Sequence, residues 1–208
     1  VVARVRAEGV DAGLAVLPWD EEALSLRARL ALLHEHLGEP WPDMSDAALA
    51  ERAEEWLAPA VASLAGGSGG PGRSGESASS GPGGRRFNLE RLDVAHSLRA
   101  LLPWPQAARL DELVPERLEV PSGSQVPVDY TAAVGGAAGT AGPVDPAEAG
   151  RVGRPVLAVR VQECFGWAAT PRIVEGRVAV LLHLLSPARR PVAVTDDLAS
   201  FWEQGYPQ

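Results

Sequence analysis

The chain has 208 residues and a mass of 21.8 kDa, enough for one or two small domains with a real core. Its net charge of −8 argues against a free-standing, high-affinity nucleic-acid binder. It holds no run of about 18 apolar residues, so no membrane-spanning helix is expected, and its single cysteine, Cys164, excludes an internal disulfide framework and fits a reducing, cytoplasmic setting.

The charge is unevenly spread. From residue 151 onward the balance is +2, and the rest of the chain carries −10. Every one of the 19 basic residues is arginine, which we read as coding bias. Residues 1–13 have a helical pattern through Val2, Val5 and Val10, without the apolar core or cleavage site of a signal peptide. The chain begins in mid-pattern without Met, as a piece of a longer protein would.

After Pro18, Trp19 and Asp20 comes the clearest helix. Asp20 is placed to cap it, Glu21 and Glu22 suit the positive end of its dipole, and Ala23, Leu26, Leu30, Leu33 and Leu37 form a stripe. Gly38 and Pro40 should end it. Ser45 can cap a second helix with Leu49, Ala53, Trp56 and Leu57 on one face, ended or kinked by Pro59. Residues 65–86 are Gly-, Ser- and Pro-rich and are expected to be a flexible linker. Asn88 can cap a helix bearing Leu92, Ala95, Leu98, Leu101 and Leu102, and Pro105 suits the first turn of another with Leu110 and Leu113.

At Pro115 the apolar period changes from 3.6 to 2. Arg117 to Val120 and Val126 to Tyr130 flank Ser122, Gly123 and Ser124, a β-hairpin pattern in which Pro127 favours an edge strand. Residues 131–153 are mostly Ala and Gly and are expected to form a disordered loop. Residues 155–165 fit either a strand or a helix ending at Gly166, and we expect the helix. Residues 177–185 read as one buried strand, returning after a turn at residues 186–190 as a paired strand. Thr195 or Asp196 should then cap a last helix burying Leu198, Phe201 and Trp202.

The expected fold class is therefore α+β. A helical, bundle-like part (1–64 and 87–115) precedes a small mixed domain (116–208) with antiparallel β-hairpins and two helices.

No catalytic constellation emerges from the residues. A P-loop needs a lysine reaching the phosphates, and the chain has none. One Cys and four scattered His are too few for zinc. His34 and His36 read as solvated helix residues, and His183 as a hydrogen-bonded core histidine. Asp196 and Asp197 read as helix caps rather than an acid–base pair, and Cys164 as a small buried hydrophobe. Trp19, Trp41 and Trp104 each adjoin a proline at a helix junction. Packing wedges are the plainer reading, stacking platforms for single-stranded RNA the sharper one. Arg160, Arg172, Arg177, Arg189 and Arg190 are the candidates for contacting phosphate, with the Arg189–Arg190 turn foremost.

Several ordered phrases of the chain resemble the C-terminal region of the HrpB-type ATP-dependent helicases of bacteria, relatives of the DEAH-box RNA helicases. They are Val120 to Ser124 with Pro127 to Tyr130; Leu157 to Arg160 with Gln162, Glu163, Phe165 and Gly166; Thr170 to Ile173; Gly176 to Val178; and Leu184 to Ala188 with Arg190, Pro191, Thr195, Asp197, Leu198, Phe201 and Trp202. Leu17 to Trp19, Trp41 to Asp43 with Ser45 and Asp46, and Trp56 with Leu57 extend the resemblance into the helical part. It implies a parent protein with two RecA-like motor domains, using ATP and Mg²⁺ to separate RNA strands. Those domains would lie upstream, and no cofactor is expected in this region. The chain would then be a non-catalytic accessory region that packs beside the motor domains of the same polypeptide and assists engagement of single-stranded RNA. The alternative is a protein-interaction module recruiting a partner. The family's basic tail beyond Tyr206 is missing from this sequence.

Overall fold

The structure, a computed structural model, describes residues 14–66, 89–134 and 154–205. The expected helix over 1–13 and most of the stretches 65–86 and 131–153 lie outside the described residues. The fold is α+β, and the chain divides into two compact units. One comprises residues 1–26 and 43–102, the other residues 27–42 and 103–208.

The first unit is helical. It contains the start of α1 (Glu21–Leu37), then α2 (Asp46–Glu51), α3 (Ala53–Gly66) and α4 (Val94–Arg99). The Asp20 carboxylate accepts from the Ala23 N–H at 2.8 Å, and Ser45 Oγ from the Ala48 N–H at 3.3 Å, so both helix starts have the caps their sequences offer. The next cap is not Asn88. A 3-10 turn, Leu89–Arg91, intervenes, and Asp93 accepts from the His96 N–H at 2.7 Å. The second expected helix is broken at Arg52 and then runs through Pro59 to Gly66. Pro59 is exposed, so the Glu55 carbonyl it leaves unpaired can meet water and the helix continues. Trp56 is buried, donates from Nε1 to the Leu49 carbonyl at 3.0 Å, and meets the Trp19 ring at 6.4 Å between centroids. Two of the proline-flanked tryptophans are thus packing groups: Trp19 here and Trp41, buried in the second unit.

The second unit is built on a five-stranded sheet ordered β1-β2-β3-β6-β7. Its strands are β1 (Arg117–Glu119), β2 (Gln125–Asp129), β3 (Val156–Arg160), β6 (Leu181–Leu185) and β7 (Pro191–Thr195). A separate hairpin, β4 (Arg172–Ile173) and β5 (Val178–Ala179), fills the crossover between β3 and β6. The pair β3/β6 is parallel and the other pairs are antiparallel. Helix α5 (Trp104–Leu113), the short α6 (Thr131–Val134), and α7 (Leu198–Ser200) with a π-helical turn (Phe201–Gly205) complete the elements.

Three expectations are corrected here. Residues 155–165 are not a helix. They form central strand β3 and then a 3-10 turn, Val161–Cys164. Leu157 and Val159 face the core while Ala158 is exposed, and the turn brings Val161 and Cys164 back over the same core, which mimics helical spacing. Residues 177–185 are not one strand. Val180 donates to the Pro171 carbonyl at 3.1 Å and Leu181 to the Pro155 carbonyl at 2.8 Å, so the chain changes sheets between β5 and β6. Pro127 is not on an edge strand, since β2 lies between β1 and β3. It is tolerated because β3 pairs with β2 only at Val128 and Asp129.

The core lies under the inner face of the sheet, with Val128, Leu157, Val159, Leu182 and Leu184 buried. Tyr130 donates its hydroxyl to the Pro115 carbonyl at 2.7 Å, and burial raises its pKa. Gly166 has φ +114°, and a Cβ there would stand 3.1 Å from the Pro121 Cβ, so only glycine lets the two segments approach. The Asp197 carboxylate caps α7, and its hydrogen bonds from the Ser200 hydroxyl and N–H hold its pKa below the ordinary value.

Candidate nucleic-acid interface

The five candidate arginines fall into two groups. Arg172 and Arg177 belong to the β4–β5 hairpin, and backbone carbonyls engage their guanidinium groups. Arg172 donates to the carbonyls of Gly176 and Arg177, and Arg177 Nη1 to the His36 carbonyl at 2.7 Å. The latter bond satisfies a carbonyl that the C-terminus of α1 leaves open. The same hairpin contacts α5 through the Val174 N–H, which donates to the Leu113 carbonyl at 2.9 Å, and through a 2.8 Å Arg109–Glu175 ion pair.

The other three gather at one end of the five-stranded sheet. Arg160 ends β3 and is paired in register with Leu185, the last residue of β6. Residues 186–190 then turn the chain into β7, whose Pro191 is opposite Leu185. The turn is closed by the Ser186 N–H donating to the Arg190 carbonyl at 2.8 Å and the Arg190 N–H donating to Ser186 Oγ at 3.1 Å. Arg189 takes φ +59° and, like Arg190, is exposed. Among the described residues, no ion pair or side-chain hydrogen bond engages the guanidinium of Arg189 or Arg190. Two exposed cations on a short turn can contact phosphate without first breaking an ion pair.

Three further residues depart from the plainer reading of the sequence. His183 is half-buried on the outward face of β6, not in the core. Trp104 is 84% exposed at the start of α5 between two prolines, unlike Trp19 and Trp41. Arg29 is buried inside α1's apolar pattern, 2% exposed. Its Nε donates to the Val114 carbonyl at 2.7 Å, and it pairs with Asp111 and with Glu116, the latter at 2.9 Å. His34 also departs from the solvated reading, since its Nδ1 meets the Trp41 carbonyl at 2.8 Å and so carries the proton there.

Cys164 is buried, and desolvation pushes its thiol up to about 11, so it is protonated at neutral pH. The chain has no lysine, and no group of three or more His, Cys, Asp or Glu among the described residues could hold a metal ion. No helix among them is long and apolar enough to cross a membrane.

This α+β architecture is shared with solved structures of helicases. Residues 83–208 match the HrpB C-terminal family, described as ATP-dependent helicase C-terminal. Over 200 residues the chain is 36% identical to the ATP-dependent RNA helicase HrpB of Escherichia coli strain K12, covering 94% of this chain and 20% of that protein. Two solved structures agree over 99% of this chain. One is the E. coli DExH-box NTPase HrpB (TM-score 0.72, 33% identity, 20% of that chain), the other the E. coli DEAH/RHA helicase HrpB (TM-score 0.68, 31% identity, 21% of that chain). The chain belongs to the HrpB-type ATP-dependent helicase C-terminal family. It spans about a fifth of the length of the relatives it matches.

Proposed function

We propose that this chain is the non-catalytic C-terminal accessory region of a bacterial, cytoplasmic ATP-dependent RNA helicase. It packs beside the motor domains of its own polypeptide, which bind ATP and Mg²⁺, and helps them engage single-stranded RNA. The observation that carries the reading is the Arg189–Arg190 turn beside Arg160, a basic end on a chain whose overall charge is −8. Local cations of this kind grip phosphates without sequence preference, and the net negative charge keeps the grip weak unless the motor holds the same strand. Changing Arg189 and Arg190 together to Glu lowers the affinity of the 208-residue chain for a fluorescent single-stranded RNA at least about tenfold and flattens its salt dependence by about one log unit per log unit of salt. Equal affinity and an unchanged salt slope contradict the proposal.

A second reading, a protein-interaction module recruiting a partner to the helicase, is favoured by Trp104. A tryptophan that is 84% exposed, with exposed Ala107 and Ala108 one turn further along α5, has the form of an interface anchor. Under that reading Trp104→Ala releases the partner and leaves RNA affinity unchanged.

A further inference from the structure

The register of the second unit's sheet defines its outward face. Residues directly opposite each other on paired strands share a face. Ala158 is opposite His183, and His183 is opposite Val194, so these three form one row across β3, β6 and β7. The row spans about 10 Å at the usual strand spacing. Two residues further along, about 7 Å, Arg160 and Leu185 form the next row. Beyond it lies the turn carrying Arg189 and Arg190. Ala158 and Val194 are exposed, His183 and Arg160 half-buried.

On this face Leu181 is buried and His183 and Leu185 are half-buried, so the accessible part is the strip from Ala158 across His183 to Val194 and on toward Arg160. Among the described residues no hydrogen bond or ion pair engages the half-buried His183 ring, so its accessible part is free to meet another group. Arg160, Arg189 and Arg190 lie at one end, while Arg154, just before β3 at the other end, is paired with Asp196. Glu163 adjoins the Arg160 end and accepts from the Arg160 N–H at 3.3 Å, whereas Asp129, opposite Val156, lies at the other end of β3. A ring on a flat patch beside a cationic rim complements a nucleotide, which has a flat base and an anionic linkage. An acidic peptide would match the rim but does not offer a flat aromatic group at each repeat between its charges, as a nucleotide strand does.

We propose that this outward face is a platform for a short single strand of nucleic acid, with a base lying on His183 and the flanking phosphates held by Arg160, Arg189 and Arg190. The inference rests on the accessory role above and goes further, because it places bases as well as backbone on named side chains. Stacking supplies sequence-tolerant affinity, since every base has a π-face.

The test uses the 208-residue chain with a fluorescent oligouridine RNA, its oligothymidine DNA counterpart, and an RNA carrying one 4-thiouridine for photocrosslinking. His183→Ala should weaken RNA binding at least about fivefold, the low end of one base stack. His183→Phe should restore it, which a change in folding would not. Val194→Glu, at an exposed position that leaves the core untouched, should weaken binding at least as much, and the thiouridine should crosslink to the β6–β7 peptide. Comparable weakening with the DNA oligomer assigns the site to single strands generally, and weakening with RNA alone to ribose recognition; both uphold the platform. If the Arg189→Glu/Arg190→Glu variant loses RNA while His183→Ala and Val194→Glu bind normally and crosslinks map elsewhere, the platform is wrong and the accessory role survives. If the parent chain binds neither oligomer, the platform is wrong, and the accessory role is decided separately by RNA stimulation of ATP hydrolysis in the full-length helicase.

Discussion

Arg29 shows how the energetics can run against intuition at a single residue. Its side chain is 2% exposed, yet its partners Asp111 and Glu116 are 81% and 62% exposed. Removing Arg29 frees two carboxylates that water can solvate and leaves mainly one buried carbonyl, that of Val114, unpaired. Arg29→Met should therefore cost about 1–3 kcal/mol. Removing both carboxylates strands a buried cation, and Asp111→Ala with Glu116→Ala should cost about 3–5 kcal/mol. Urea unfolding of the two variants checks the order; a costlier Arg29→Met would show that the guanidinium's packing, not its charge balance, dominates. Little of this was legible in the sequence. Arg29 sits inside a helix whose apolar stripe was read correctly, but Ala28 and Leu32 are buried too, so the helix is enclosed on more than one face. Nothing in local spacing tells that the partners lie 82 and 87 residues away. His183 was misplaced for a related reason. An apolar run says that a strand is covered, not which of its alternating faces is covered.

At the level of elements, the local signals that succeeded were those with a local cause. Asp20 and Ser45 cap their helices, and the β1–β2 hairpin forms where Ser122, Gly123 and Ser124 predicted a turn, with Gly123 at φ +84°. The strand β3 was mistaken for a helix because its pattern continues into the Val161–Cys164 turn, and only its place between β2 and β6 decides the conformation. The proposed phosphate contact lies on the β6–β7 turn. Arg189 occupies the left-handed region at φ +59°, a conformation that costs a non-glycine residue about 1–2 kcal/mol. Arg189→Gly should then leave stability unchanged or raise it by up to about 1 kcal/mol, since glycine's unfolded-state entropy offsets part of the gain. RNA affinity should fall in the same variant. Opposite signs in a melting curve and a binding isotherm mark a side chain kept for contact; destabilisation would mean that the arginine serves the turn itself.

Considered as a molecule, the chain is an acidic helical part joined to a sheet domain with a basic end, and it belongs to a helicase C-terminal family while spanning about a fifth of its relatives. The family was legible because long phrases such as Leu184 to Ala188 with Arg190 and Pro191 recur in order along the chain, the end of a strand and its turn among them. The division into units was less so, because one helix, α1, contributes residues to both. The account assigns this region to substrate engagement rather than to chemistry. The most direct test is steady-state ATP hydrolysis by the full-length helicase at increasing single-stranded RNA, with and without Arg189→Glu and Arg190→Glu. The expected result is a rise of about tenfold or more in the RNA concentration giving half-maximal stimulation, the scale of losing two phosphate contacts, with the maximal rate unchanged. An unchanged half-maximal concentration, or a fall in the maximal rate alone, would contradict the account.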